Sequence, residues 1–305
     1  MKQFFKHVCT GAVFIIILAI LLGAASFVFN PKDNSKKAGM QDPTAHGYLA
    51  EPENSIDVLF VGDSECYSAF SPKVIWKQQG ITSYVCGTPG QKLYYSLEMI
   101  EEVFKRQSPK IVVLETNAIY RKFARKSVAV NEVELALPIF RYHDRWKTLS
   151  ADDLNFNTQY THIEKNRGYR VNKDVRSVSP GKYMKKTKIR ETIPKINLDY
   201  MDKIISLCEE HGAQLILVST PSTKNWSYKR HNGIKEYAEE KGLKYIDLNT
   251  AKKLKIDWTK DTRDHGDHLN HSGAKKVSKY MGKYFKKTGL FEDKRGRTEY
   301  ASWDE

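Results

Sequence analysis

The stretch "VLFVGDSECY", residues 58–67, starts as an apolar run and changes abruptly at Gly62, Asp63 and Ser64. A short apolar run rich in β-branched residues predicts a buried parallel strand. Four further runs share this character: "SYVC" (83–86), "KIVVLE" (110–115), "QLILVS" (214–219) and "KYIDL" (244–248). Helical patterns alternate with these runs, at 96–107, 198–212, 232–242 and 272–289. The alternation predicts a doubly wound α/β fold around a central parallel sheet.

The N-terminal segment, residues 1–30, predicts a transmembrane signal anchor. Residues 8–29 carry no charge and are long enough to cross a bilayer as one helix. Lys2 and Lys6 precede the apolar run, which favours an N-terminus inside the cell and a chain that continues outside it. A cleaved signal peptide is the alternative, because "LLGAAS" (21–26) offers small residues to a peptidase.

The remaining chain divides into three parts. Residues 31–55 are polar, contain three prolines and predict a stalk. Residues 56–290 predict a flavodoxin-like three-layer sandwich, and residues 291–305 a polar tail. Residues 118–194 break the alternation and predict a basic insertion or cap, since 121–190 hold 17 basic and 7 acidic residues. The insertion is either a solvated surface, a cap over the site, or a docking face for an anionic polymer or membrane.

Charge and cysteine usage limit the partners. The 305 residues include 50 Lys+Arg against 36 Asp+Glu, a net charge of +14 that favours anionic partners. Placement outside the cytoplasm argues against nucleic acid. Cys66, Cys86 and Cys208 lie singly with no metal-binding spacing, which is typical of buried small hydrophobic residues, although a Cys66–Cys86 disulfide stays open.

The end of the first strand indicates nucleophilic chemistry. Ser64 should lie at the carboxyl edge of the sheet, where ligands bind in such folds, but a serine hydroxyl needs a base, and the base an orienting acceptor. Histidine and carboxylate occur together most densely in "DTRDHGDHLNHSGAKK" (261–276). Gly87, Gly90 and Asn117, after the second and third strands, are placed to form an oxyanion hole.

These four blocks together resemble the SGNH, or GDSL-type, hydrolase superfamily. They are "GDS" after the first strand, the glycine turn, the asparagine, and "DHLN" near the C-terminus. The resemblance covers about residues 56–285 and implies that Ser64 is the nucleophile and His268 the base. It also implies that Gly90 and Asn117 donate to the oxyanion, together with the Ser64 N–H.

The chain departs from the family pattern at two places. "ETNA" (115–118) replaces the usual Gly-x-Asn-Asp, and His265 occupies the usual carboxylate position three residues before His268. Asp264 and Asp267 flank that position. We favour Asp264 as the acid, because the side chain directly preceding His268 tends to point away from its ring. A Ser-His dyad with a backbone carbonyl remains open, as does a metal cluster of Asp264, His265, Asp267 and His268.

The sequence therefore predicts a membrane-anchored, extracytoplasmic serine esterase or O-acyltransferase that requires no cofactor or metal. Its substrate would be an acylated or anionic cell-surface polysaccharide or teichoic-acid-like polymer. One N-terminal span followed by an outward domain resembles the D-alanine transfer proteins of teichoic acid synthesis and the alginate-type O-acetylation proteins, and this resemblance implies a membrane-bound O-acyltransferase partner. A noncatalytic module that binds anionic polymer and a metal-dependent phosphoesterase are the alternatives.

Overall fold

A computed structural model describes residues 1–304 and places one parallel sheet in this part of the chain. The strands lie side by side in the order β2-β1-β3-β4-β5. Their bounds are β1 Val58–Gly62, β2 Ser83–Gly87, β3 Ile111–Glu115, β4 Gln214–Ser219 and β5 Lys244–Asp247. All neighbouring pairs are parallel, as predicted, and the order is that of the flavodoxin-like doubly wound folds.

The α-helices alternate with the strands and also precede them. They are α1 Lys2–Phe29, α2 Pro43–His46, α3 Ser64–Ala69, α4 Pro72–Gln79, α5 Leu93–Phe104, α6 Asn117–Tyr120, α7 Arg125–Ala136, α8 Pro138–Tyr142, α9 Lys195–Glu210, α10 Tyr228–Glu240 and α11 His271–Thr288. Short 3₁₀ helices occupy Gly47–Ala50, His143–Lys147, Ala151–Leu154 and Thr298–Trp303. The helices predicted from periodicity correspond to α5, α9, α10 and α11, with bounds that differ by a few residues.

Both faces of the sheet are buried, which explains the continuous apolar runs. On one face, Val58 and Phe60 of β1 pack in a core with Val277, Met281 and Phe285 of α11. Phe60 stacks on Phe70 with ring centroids 4.3 Å apart. The opposite face, which includes the buried Leu59, is covered by α5 and α9. A parallel sheet buried on both sides is expected to consist of such apolar strands.

The described chain divides into two compact units. One comprises Met1–Pro43 and Phe123–His162, and the other comprises Thr44–Lys122 and Ile163–Glu305. In the first unit, α1 is long and apolar enough to cross a membrane. We call the second unit the sheet unit, because it contains all five strands. All side chains of the candidate site belong to it.

Two segments predicted as polar connections are partly packed. From Thr44 onward the 31–55 segment belongs to the sheet unit, with Ala45 and Tyr48 almost fully buried. In the 291–305 segment, Trp303 is 1% exposed and lies 5.6 Å from the ring of Trp76. Isolated aromatic residues in otherwise polar stretches anchor both segments. Cys66, Cys86 and Cys208 are buried free thiols.

Candidate active site

Ser64 lies at the transition from β1 to α3, at the carboxyl edge of the sheet. A Cβ atom on Gly62 would lie 2.7 Å from Cβ of Glu115, so only glycine fits at this close approach of two strands. Asp63 then caps α3 by accepting the backbone N–H of Glu65 at 2.9 Å. Ser64 is therefore the first helical residue, and its side chain is partly exposed between these fixed neighbours.

His268 links Ser64 to Asp264. The hydroxyl of Ser64 lies 2.8 Å from Nε2 of His268, and Nδ1 of His268 lies 2.6 Å from Oδ2 of Asp264. The backbone N–H of His268 also donates to Oδ1 of Asp264 at 2.7 Å. Because the carboxylate accepts the Nδ1 proton, Nε2 carries the lone pair that accepts the Ser64 proton. The three side chains form one continuous hydrogen-bonded chain.

The turn between Asp264 and His268 explains why an acid four residues before the histidine can reach its ring. His265 and Gly266 both adopt left-handed backbone conformations, with φ of 62° and 87°. These two residues accommodate the additional residue in the turn. His265 itself faces elsewhere, since its Nδ1 lies 3.0 Å from the carbonyl oxygen of Ser177.

Asp267 makes a different set of contacts. Its Oδ2 lies 3.9 Å from Nδ1 of His268, beyond hydrogen-bond distance. The side-chain amide of Asn225 donates to Asp267 and, at 2.7 Å, to Oε1 of the buried Glu65. Asp267 is thus tied through Asn225 to a carboxyl group on α3, while Asp264 alone orients the imidazole.

Asn117 is held by hydrogen bonds at both ends of its side-chain amide. Its Nδ2 donates to Oδ2 of Asp63 at 2.8 Å, and its Oδ1 accepts Nη1 of Arg230 at 3.0 Å. Arg230 is itself positioned by Glu191, at 3.0 Å, and by the ring of Tyr120, which lies 4.7 Å beneath the guanidinium. A donor on one side and an acceptor on the other determine the orientation of the amide.

Gly90 lies in the loop that follows β2, the strand directly beside β1. Gly62 and Gly87 are register partners, so this loop leaves the sheet next to Ser64. Gly90 has a left-handed φ of 63° and is partly exposed. The loop is closed by Gln91, whose side chain accepts the backbone N–H of Thr88 at 2.9 Å.

Three carboxyl groups are buried beneath the site: Asp63, Glu65 and Glu115. Burial, together with the negative charge of Asp63, raises the pKa of Glu115 to about 8. Burial also raises the pKa of Glu65 well above its usual value, and the neighbouring Asp63 acts in the same direction. With a pKa of about 8, the carboxyl group of Glu115 is mostly protonated at neutral pH.

Cationic side chains balance the remaining charge. Arg121 forms an ion pair with the fully buried Asp63. Burial, and next to it the charge of Arg121, lowers the pKa of Lys92, which places a second cation in the same neighbourhood. Partial burial acts to raise the pKa of Asp264, but the hydrogen bonds from the ring and backbone of His268 hold it below its usual value. Asp264 is consequently ionised at neutral pH.

A set of potential metal ligands overlaps the site. Oxygen and nitrogen atoms of Glu65, Asp267 and His268 lie within 4.8 Å of one another. The atoms already have other partners, since the His268 nitrogens contact Ser64 and Asp264, and Asn225 donates to both carboxyl groups. The donor set thus fits a hydrogen-bond network better than a coordination sphere.

The structure brings Ser64, His268 and Asp264 into direct contact and places Asn117 beside Asp63. Sequence reasoning did not identify Glu65, Asn225 or Arg230 as members of the site. Glu65 directly follows "GDS", so a charged residue within an apolar stretch was a usable signal. Asn225 lies in the loop between β4 and α10, and Arg230 lies in the first turn of α10. No motif distinguishes either of them from ordinary polar residues.

Comparisons with known proteins give distant structural similarities. No family model and no curated sequence matches this chain. A GDSL-like lipase from Bacteroides thetaiotaomicron is 14% identical over 80% of this chain and 99% of that one, with a TM-score of 0.39. The family 3 carbohydrate esterase of Clostridium thermocellum is 12% identical over 76% of this chain and 96% of that one, with a TM-score of 0.41. A lipase/acylhydrolase from Enterococcus faecalis is 11% identical over 76% and 97% of the two chains, with a TM-score of 0.39.

Proposed function

We propose that the protein is a serine esterase or O-acyltransferase of the SGNH type, with Ser64 as nucleophile, His268 as general base and Asp264 as the orienting acid. The observation that carries this proposal is the chain of hydrogen bonds from Ser64 through His268 to Asp264, with distances of 2.8 and 2.6 Å. A nucleophile within hydrogen-bond distance of a base that a third group orients is the arrangement used by triad enzymes.

Acylation would begin when Ser64 Oγ attacks the carbonyl carbon of an ester. The hydroxyl proton passes to Nε2 of His268, and the resulting imidazolium is stabilised by the ionised Asp264. The tetrahedral intermediate then expels the alcohol, which takes the proton from His268. An acyl group is left on Ser64 and His268 is neutral again. Water or a sugar or polyol hydroxyl would resolve the acyl-enzyme by the reverse proton path.

The oxyanion would be stabilised by Asn117 and by backbone N–H groups of Gly90 and Ser64. An amide nitrogen carries two hydrogens, and Asp63 accepts one of those on Asn117. The second hydrogen is the proposed donor. Because Arg230 and Asp63 hold the amide in place before substrate arrives, this donor needs no reorganisation during the reaction.

The substrate proposal is an acyl ester on a cell-surface polysaccharide or teichoic-acid-like polymer. The apolar α1 supports an anchor that places the sheet unit outside the cytoplasm. The net charge of +14 supports an anionic polymer. A membrane-bound O-acyltransferase that supplies the acyl group is the proposed partner, and it rests on the family resemblance.

Covalent labelling tests the proposal. A fluorophosphonate should modify Ser64 in the full-length protein, and peptide mass spectrometry should locate the adduct. Ser64→Ala and His268→Ala should both abolish labelling, whereas the matched variant Ser68→Ala, one helical turn further along α3, should retain it. Undiminished labelling in His268→Ala would exclude the proposed base.

The choice between hydrolysis and transfer needs a competing acceptor. With an aryl acetate as donor, an acyltransferase should form acetylated polyol when a polyol is added, at the expense of free acetate. Release of acetate alone, at every polyol concentration, would assign the protein to the esterases.

Degradation of the sheet unit by protease added to intact cells would support the extracytoplasmic placement, and full protection would contradict it.

A further inference from the structure

A trough with a cavity volume of about 940 Å³ runs beside α11, away from the residues of the candidate site. Eight lysines line it from two segments, 252–255 and 276–287, together with Leu254, Tyr280 and Tyr284. Leu254, Tyr280 and Tyr284 pack against the core, and the lysines come from both segments. We call this feature the lysine trough.

Most of the charge in the lysine trough is uncompensated. Lys276 forms an ion pair with the buried Asp261 at 2.5 Å. Within residues 1–304, none of the other seven lysines forms an ion pair, and all seven are exposed. No acidic side chain of the described residues lines the trough. Seven like charges around one depression repel one another, and a bound anion would relieve that repulsion.

The positive surface continues toward the candidate site. A second depression, with a volume of about 440 Å³, shares Lys276 and Lys279 with the trough and extends to His271 and Lys173. Burial, and next to it the charges of Lys275 and Lys173, lowers the pKa of His271, as expected where cations crowd together. His271 follows the proposed base by only three residues, so the basic surface reaches the site end of α11.

The shape and spacing of the charges indicate which anion fits. Lys276, Lys279, Lys283 and Lys287 follow one another at intervals of three or four residues, or about 4.5–6 Å along a helix axis. A concave depression lined by lysines from two segments fits a flexible chain that lies in it, whereas a planar bilayer would contact mainly its edges. We propose that the lysine trough binds a linear polymer with phosphodiester charges at short intervals along a polyol or sugar backbone.

The lysine trough would bind the polymeric substrate of the proposed reaction at a distance from Ser64. If the esterase or acyltransferase proposal is correct, the trough holds the polymer while one of its hydroxyl or acyl groups reaches Ser64. That link rests on the proposed function. Binding itself does not, because no trough lysine contacts the reacting groups, and the two proposals can therefore fail separately.

Binding is measured with the full-length protein in uncharged detergent micelles and a fluorescent glycerol-phosphate oligomer as the probe. Wild type and Ser64→Ala should bind it equally. If four phosphates are contacted, affinity should fall about 50-fold between roughly 50 and 200 mM salt. The fourfold variant Lys253→Glu/Lys279→Glu/Lys283→Glu/Lys287→Glu should lose at least about tenfold in affinity at low salt.

The matched control moves the same charge elsewhere on the sheet unit. Lys182, Lys185, Lys186 and Lys188 are exposed lysines of the predicted basic insertion, and their joint change to Glu alters net charge equally. This control should bind nearly as wild type does, and both variants should keep the wild-type melting temperature. Equal losses of affinity in the two variants would show that only the net charge matters, and would contradict a binding site in the lysine trough. Displacement of the oligomer by phosphatidylglycerol added to the micelles, or equal binding of a single-stranded oligonucleotide, would also overturn the assignment to a polyol-phosphate polymer.

Discussion

The candidate site and the lysine trough lie in the same compact unit, but their charged side chains differ in burial and in ion pairing. In the site, Asp63 is fully buried, paired with Arg121 and hydrogen-bonded to Asn117. In the trough, Lys283 and Lys287 are exposed and form no ion pair within residues 1–304. Buried charge requires a fixed partner, whereas exposed charge is stabilised by water and can stay mobile.

The difference matches the two proposed roles, a reaction at the candidate site and polymer binding in the lysine trough. The proposed proton transfer between Ser64 and His268 would require distances correct to fractions of an ångström, which fixed hydrogen-bond partners maintain. A flexible polyanion is better held by long side chains that adjust to it, at the cost of strong salt dependence. The site should therefore respond to single substitutions, while the trough should respond only when several charges change together.

The largest effect is expected from Asp264→Asn. Loss of the orienting carboxylate in a triad lowers turnover by about 10⁴, because the imidazole adopts the wrong tautomer and the imidazolium loses its counter-charge. Asp267→Asn should cost far less, since Asp267 contacts Asn225 rather than the ring. Hydrolysis of an aryl acetate by the two folded variants measures both effects.

The same pair of variants tests the metal alternative. If a metal were bound by Asp267, Glu65 and His268, chelator would inactivate the wild type and Asp267→Asn would be the more damaging substitution. Activity that persists in chelator, with the larger loss in Asp264→Asn, fits the triad. The reverse pattern would reassign the acid or replace the triad by a metal site.

A smaller effect is expected at Asn117. Removal of one oxyanion donor lowers kcat by about 10²–10³, so Asn117→Ala should fall in that range with KM little changed. Arg230→Gln removes the guanidinium that orients the amide and should lower kcat by less than Asn117→Ala does. In the double variant the two losses should not add, because Arg230 acts through Asn117. Additive losses would show that Arg230 has a separate role.

Most of the fold could be predicted from the sequence because parallel strands buried on both faces leave continuous apolar runs. The sequence predicts the bounds of two strands to within two residues, namely β1 (Val58–Gly62) and β4 (Gln214–Ser219). The short α3 and α4 were not predicted, since helices of six and eight residues show little periodicity. Burial of Tyr48 and Trp303 was also missed, because their contacts are with residues far away in the sequence.

Site residues could be predicted where a chemically suitable residue directly follows or precedes a recognisable strand or helix. Ser64, Asn117 and His268 each follow or precede a recognisable element, and Asp264 could be preferred over Asp267 on side-chain direction. Asn225 contacts Glu65 across 160 residues of sequence, and no local pattern reports such a contact. The lysine trough was missed for the same reason, because 252–255 and 276–287 converge only in the folded chain.

A third prediction compares the stability of the two regions directly. Arg121→Ala leaves the carboxylate of Asp63 buried without its cation, which should lower the free energy of unfolding by about 2 kcal/mol. Lys283→Ala removes an exposed and unpaired charge and should change it by less than about 0.5 kcal/mol. Chemical denaturation of both variants measures the difference. Equal effects would contradict the contrast between paired and unpaired charge.

Glu115 also makes the stability of the protein depend on pH. The pKa of Glu115 is raised from 4.5 to about 8 in the folded chain, so the folded state keeps a proton that the unfolded state releases. Where the folded state binds more protons, stability falls as pH rises, by at most about 1.4 kcal/mol per pH unit for one group. The fall should begin near the unfolded pKa and end near pH 8, where Glu115 ionises in both states.

Glu115→Gln should flatten this dependence, because glutamine does not ionise. Its absolute stability should also be lower, since both oxygens of Glu115 accept hydrogen bonds, one from Asn117 and the other from Thr220, and an amide can accept at only one of them. The informative measurement is therefore the slope of melting temperature against pH between about 5 and 8, compared with wild type. Glu65 also has a raised pKa, so a residual slope is expected, and Glu65→Gln should remove part of it. A slope that is unchanged in both variants would show that Glu115 and Glu65 are already ionised in the folded protein, and would contradict their raised pKa values.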